Sequence, residues 1–176
     1  MEHSLNHTIA LLERTPGALD ELLRGLPSEW IDANEGGNTW SPREVVAHLS
    51  HAERTDWITH LLEHGESKPF PLFNREAHRT TMHGKSMAEL LDEFAAVRAA
   101  SLEKLRALTL TADHMERRCV HQVLGTVTLE NLLATWAAHD LTHLHQITRV
   151  LAYQYRDAVG PFSRFLGVTK CAAHGE

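Results

Sequence analysis

Two histidines one helical turn apart, His139 and His143 in the run Trp136-Ala137-Ala138-His139-Asp140-Leu141-Thr142-His143, are the residues of this chain best placed to do chemistry. Side chains at i and i+4 project from one face of a helix, so the two imidazoles can bind one metal ion. A single histidine on an apolar face is more often a core residue satisfied by a hydrogen bond than a ligand. Two together change the balance, because burying both without a shared partner leaves ring nitrogens unpaired at about 1–3 kcal/mol each. A third ligand has to come from another helix. His48 is the natural candidate, since it lies on the stripe of the helix with the strongest start signal. His51 and His60, on or near the same helix, are its rivals, and spacing alone does not choose among them.

The elements that must position these residues can be read from apolar period and capping signals. Leu5, Ile9, Leu12, Leu19, Leu22 and Leu23 form a helical stripe from about Ser4 to Arg24, interrupted at Pro16-Gly17 and stopped by Gly25 and Pro27. Asn34-Glu35-Gly36-Gly37-Asn38 reads as a loop. Ser41-Pro42-Arg43-Glu44 then combines a cap, a first-turn proline and a capping-box glutamate, and predicts a second helix from Pro42 to Glu63. Lys68 to Phe73 reads as an extended, partly buried stretch. Ser86 with Glu89 opens a third helix ending near Leu108. Between Arg117 and Val127 short β-compatible runs flank a turn at Leu124-Gly125, which predicts a small hairpin. Thr128 caps a fourth long helix with the stripe Leu132, Trp136, His139, His143, Ile147 and Val150, so both histidines stand where the pattern calls for core. A short segment at 162–166 packs over one end, and 169–176 reads as a frayed tail beyond a single domain of residues 1–168.

The expected fold is therefore all-α: a mostly antiparallel four-helix bundle with long connections and a hairpin before the last helix. Its 176 residues suit one domain, and 43% apolar with 23% charged residues is the composition of an ordinary globular chain. A net charge of −6 with scattered acidic residues argues against a nucleic-acid surface. No apolar run approaches a membrane span, and the N-terminus has no basic segment leading into an apolar one, so the expected location is the cytoplasm. Cys119 and Cys171 are too far apart for a Cys-x-x-Cys motif and are expected as free thiols, with Cys119 inert because only Arg117 and Arg118 stand nearby. An apolar helix face left over from the bundle would favour a homodimer.

Trp40-Ser41-Pro42-Arg43-Glu44-Val45-Val46-Ala47-His48-Leu49-Ser50-His51-Ala52-Glu53 resembles the early motif of the DinB-like four-helix-bundle family. Gly125-Thr126-Val127-Thr128-Leu129, Leu132-Leu133-Ala134-Thr135-Trp136 and His139-Asp140-Leu141-Thr142-His143-Leu144-His145-Gln146-Ile147 resemble its late motif. The motifs fall in the family's order, and the likeness runs from about residue 5 to 167. The resemblance implies a divalent metal held by His48, His139 and His143, and it is what prefers His48 over His51. It also implies a small-molecule substrate. Thiol-dependent S-transferases and an isomerase using low-molecular-weight thiols are among the family's characterised members.

Three imidazoles leave an ion with an open position, the arrangement of a catalytic site, whereas a fourth protein ligand would mark a structural one; His51 or His121 would be the first to supply it. Zinc or nickel suits such a site best, with iron or manganese as alternatives. Glu53, five residues after His48, is the carboxylate best placed to act as general base or to orient a ligand, ahead of Asp56 and Asp140, although for each of the three alone a solvated helix face is the simpler reading. Gln146 could line the pocket. Trp40 and Trp136 read as packing residues. The leading function is thus a metal-dependent enzyme, either an S-transferase or a hydrolase. A non-catalytic metal-binding or stress-response module is the alternative, and a metal-free bundle with histidines paired to carboxylates a third reading.

Overall fold

A computed structural model describes residues 3–171. The first apolar stripe forms two helices, α1 (Leu5–Leu12) and α2 (Thr15–Leu23), because the chain turns at Glu13-Arg14 and restarts with Pro16 in the first turn of α2. A short helix α3 (Ser28–Ile31) follows, within a stretch that carries no helical period in the sequence. Helix α4 (Pro42–Glu53) begins with a complete capping box: Ser41 Oγ accepts from Glu44 N at 3.3 Å and Glu44 Oε2 accepts from Ser41 N at 2.9 Å.

The single helix expected over Pro42 to Glu63 is broken. α4 stops at Glu53 and α5 (Trp57–His64) starts after three residues. The break has a local cause, since Arg54 Nη1 donates to Ser50 O at 2.7 Å and Thr55 Oγ1 donates to Ala52 O at 2.6 Å. These side chains satisfy carbonyls that the next turn would have used. Asp56, at φ −89° and ψ 57°, then redirects the chain.

The extended stretch lies where expected, with Phe70 buried and its N–H donating to Val120 O at 2.9 Å. A one-turn helix α6 (His78–Thr81), unforeseen from the sequence, leads to α7 (Met87–Ala107), capped by Ser86 and Glu89. After α8 (Ala112–Met115), also unforeseen, the antiparallel strands β1 (Arg118–His121) and β2 (Gly125–Thr128) pair Arg118 with Thr128 and His121 with Gly125. Gly125 takes φ 79°, a left-handed conformation that any other residue would adopt with strain. The last helix, α9 (Leu129–Tyr153), is capped by Thr128 with Asn131 and runs three residues past Val150, the last member of its apolar stripe. Residues 160–165 and 167–170 form 3-10 turns, the latter against α9, so the expected tail is structured where it is described; 172–176 lie outside the described residues.

The result is a four-helix bundle of α1/α2, α4/α5, α7 and α9 with one hairpin at an end. Its apolar interior falls into two clusters. Leu19, Leu23, Val45, Leu49, Leu90, Phe94 and Ile147 make one. Leu12, Leu61, Phe70, Leu102, Leu105, Leu129 and Leu133 make the other. The same helices also carry a row of buried polar residues that no apolar layer can accommodate: His48, Arg98, Asp140, His143 and Gln146.

Candidate metal centre

His48 is carried by the middle of α4, and His139 and His143 by the middle of α9. The two helices pack together and bring the three imidazoles to one point. His139 Nε2 lies 3.3 Å from His48 Nε2 and 3.0 Å from His143 Nε2. Each residue offers one ligand atom within 4.8 Å of the others. Nitrogens about 3.0–3.4 Å apart are what an ion at about 2.1 Å from each requires.

The protonation pattern also fits a cation. His143 Nδ1 donates to Gln146 Oε1 at 2.8 Å, which leaves Nε2 as the lone-pair nitrogen facing the cluster. One proton on His139 Nε2 cannot satisfy both neighbours, so lone pairs face one another unless a cation stands between them. His48 is 2% exposed, and burial, reinforced by His143, His139 and His78, pushes its pKa down to about 2. Burial lowers His139 as well, against the pull of Asp140 and Glu53. Burial thus keeps the His48 and His139 rings as neutral ligands rather than imidazolium ions at ordinary pH. His48 Nδ1 is outside hydrogen-bond geometry to any side chain or carbonyl, although the nearby Arg75 carbonyl partly opposes the effect of burial.

Rings enclose the cluster. Trp40, 6% exposed, lies 4.7 Å from the His48 ring and nearly parallel to His143 at 6.2 Å. Phe73 meets His48 edge-on at 5.8 Å. His78, which the sequence did not single out, packs on both Trp40 and His48, and its Nδ1 donates to Arg75 O at 2.6 Å. Its signal was absent because α6 is a single turn with no apolar period.

Beside the histidines lies a second buried polar group. Arg98, 1% exposed, makes a two-pronged contact with Asp140 at 2.6 and 2.9 Å, and its Nη2 donates to Glu53 Oε1 at 2.8 Å. Its Nη1 also donates to Leu12 O at 2.9 Å, and Trp136 Nε1 donates to Glu53 Oε1 at 2.7 Å. One guanidinium thus ties α1, α4, α7 and α9 together. Asp140 is not solvated, as the simpler sequence reading had it; it is 1% exposed and held by Arg98. Arg98 was legible in principle, since it stands four residues after Phe94 and four before Leu102 on the core stripe of α7. Trp136 packs as expected but also uses its N–H. Glu53 Oε2 is buried without a partner.

The remaining candidates are engaged elsewhere. His51 Nε2 donates to Asn74 O at 3.1 Å, and His60 Nε2 to Lys68 O at 2.9 Å. His121 Nδ1 accepts from the N–H groups of Val123 and Leu124, both at 3.2 Å, in the hairpin turn. Asp56 pairs loosely with Lys104 at 4.0 Å. Cys119 is a fully buried free thiol against Lys68 O, and Cys171 is free as well.

A cavity of about 810 Å³ opens over the three histidines, walled by Trp57, Ile58, Leu105, Leu132 and Trp136 and bordered by Glu53. Among the described residues no helix is long and apolar enough to cross a membrane.

Comparison with known proteins agrees with this architecture. No curated protein matches the sequence. Among solved structures the chain is similar to YfiT from Bacillus subtilis, described as a probable metal-dependent hydrolase with an unusual four-helix bundle topology; the two share 20% identity over 89% of this chain and 91% of that one, with a TM-score of 0.71. The sequence profile of the DinB superfamily matches residues 11–147, a span that includes all three histidines and Arg98, and the chain belongs to that superfamily.

Proposed function

We propose that this protein is a metal-dependent hydrolase of small molecules, with His48, His139 and His143 as the ligands of one divalent ion, zinc or nickel. The observation that carries the reading is the convergence of three imidazole nitrogens, 3.0 and 3.3 Å apart, at the floor of a cavity of about 810 Å³. That volume is within the usual range for a small-molecule site, about 300–1,000 Å³. No fourth His, Cys, Asp or Glu joins the cluster among the described residues, which favours a catalytic over a closed structural centre. The description of YfiT as a probable metal-dependent hydrolase supports the same reading.

When bound, a divalent ion supplies Lewis acidity, polarising a substrate carbonyl or acidifying water. The chain's own residues orient and enclose. Gln146 fixes the tautomer and the rotation of His143. Trp40 and Phe73 keep solvent from the inner side of His48. Glu53 is anchored through Oε1 by Arg98 and Trp136, leaving Oε2 to accept a hydrogen bond from a nucleophile or a substrate N–H and to serve as general base. S-transfer from a low-molecular-weight thiol is the second reading, favoured by a cavity near the upper end of the usual range, with room for two reactants.

Elemental analysis of protein purified without an affinity tag tests the centre: about one divalent ion per chain is expected, and none in His139→Ala or His143→Ala. Zinc at one hundred times its Kd should stabilise the wild type by about 2.7 kcal/mol and leave both variants unchanged. Full occupancy in the double variant, or a melting temperature indifferent to chelator, overturns the assignment. Release of product from small esters and amides by the loaded protein, against consumption of an electrophile only when a thiol is added, separates the two chemistries.

A further inference from the structure

Of the cations that border the cavity, Arg54 and Lys104 are engaged. Arg54 pairs with Glu93 and donates to Ser50 O, and Lys104 faces Asp56. Arg75 differs. Its guanidinium makes no ion pair and no side-chain hydrogen bond among the described residues, and it stands over a ring instead, 5.4 Å from the centre of Trp40. Trp40 in turn packs on His48 and His143, as well as on His78, so one indole separates this charge from the proposed metal centre.

The position of Arg75 is built. The preceding residue is tied by His51 Nε2 to Asn74 O at 3.1 Å, and its own carbonyl receives His78 Nδ1 at 2.6 Å. His78 is fully buried and wedged between Trp40 and His48, while Phe73 stacks on His51 at 5.1 Å. Two histidines that are not part of the three-histidine cluster thus hold the segment that presents Arg75 at the cavity.

The charge balance gives this placement a consequence. Glu53 and Asp140 share the single charge of Arg98, so the buried group beside the histidines carries one net negative charge. In the metal-free protein that group repels an anion entering the cavity, and Arg75 is the bordering cation with no acidic partner among the described residues to offset it. A guanidinium without a partner presents parallel N–H donors that match the two oxygens of a carboxylate or a phosphate. We propose that Arg75 is the anion-binding subsite of this cavity, and that the substrate is a small molecule whose carboxylate or phosphate group pairs with Arg75 while its reactive group lies at the histidines. The proposal rests on reading the cavity as the active site, and its test does not require the metal.

The test measures binding to chelator-treated protein by tryptophan fluorescence, with Trp40 directly beneath Arg75 as reporter. The probes are 3-phenylpropionate, its uncharged amide 3-phenylpropionamide, and phenyl phosphate. At least one of the two anions should bind the wild type about ten-fold more tightly than the amide, as a charge-assisted pair implies. Arg75→Gln should abolish the preference, and Arg75→Lys should keep part of it, with an unchanged circular dichroism spectrum in both. Preference for the phosphate over the carboxylate would identify the substrate's oxyanion as a phosphate ester, and the reverse as a carboxylate. Equal affinity for anions and amide in the wild type, or a preference that survives in Arg75→Gln, overturns the proposal. Zinc binding measured separately on wild type and Arg75→Gln keeps the two readings apart: absence of zinc binding in both would sink the metal centre but not the anion preference.

Discussion

Two buried polar groups lie side by side in this bundle, and they are opposite in kind. Around Arg98, opposite charges meet with near-complete hydrogen bonding: two carboxylates, an indole N–H and a backbone carbonyl surround one guanidinium. At His48, His139 and His143 three groups of the same kind turn lone-pair nitrogens on one another with no counter-charge among them. The first balances charge against charge and leaves only Arg98 Nε and Glu53 Oε2 without a hydrogen bond among the described residues; the second gains its missing partner only from a cation. Buried polarity therefore means two things here, and the distinction is whether the members satisfy each other.

The largest effect should come from breaking the clamp. Arg98→Met leaves two carboxylates facing each other without a cation, and urea unfolding should show a loss of about 3–5 kcal/mol whether or not metal is present. A loss below 1 kcal/mol would mean that the clamp does not hold the four helices together. Next in size is the outer partner of the metal centre. Gln146→Leu frees the His143 ring from its tautomer, and isothermal titration should show zinc affinity falling about 10- to 100-fold, with metal-free stability changed far less than in Arg98→Met.

Acid should separate the two groups further. The folded-state pKa of His48 is depressed from 6.5 to about 2, so below pH 6.5 the unfolded chain takes up a proton that the folded chain refuses. The associated stability is present above pH 6.5 and is lost as the pH falls from there toward the folded value. The metal-free protein should weaken by up to about 1.4 kcal/mol per pH unit for this histidine, and His48→Leu should flatten the slope in thermal melts between pH 6.5 and 5. Smallest is the cap of the helix that carries His48. Ser41→Ala removes the acceptor of Glu44 N and should cost about 1 kcal/mol in a urea titration while leaving the zinc stoichiometry unchanged.

Much of the fold was legible because its signals are local. The capping boxes at Ser41 and Ser86 and the cap at Thr128 place the starts of three helices within a residue of where they lie, and the β-compatible runs after Arg117 place the hairpin. The break after Glu53 was not legible, since Val45, Leu49, Ile58 and Leu61 continue an apolar rhythm across it. Only the side chains of Arg54 and Thr55, folded back on carbonyls of their own helix, end α4 there. The four-residue helices α3, α6 and α8 were invisible for want of length, because a single turn carries no period.

The sequence by itself determined that two histidines share a face of the last helix, that the helix presents them where core is expected, and, through the family motif, that His48 belongs with them. Helical period and capping are properties of neighbouring residues, so they survive in one dimension. The tertiary structure decided the partners. It gave His51 and His78 to the backbone of the segment bearing Arg75, gave Asp140 and Glu53 to Arg98, and among the described residues left Glu53 Oε2 without a hydrogen bond and the Arg75 guanidinium without an acidic partner at the cavity. Whether a polar side chain is satisfied depends on groups forty to ninety residues away in the chain, and only the packing of four helices sets those distances.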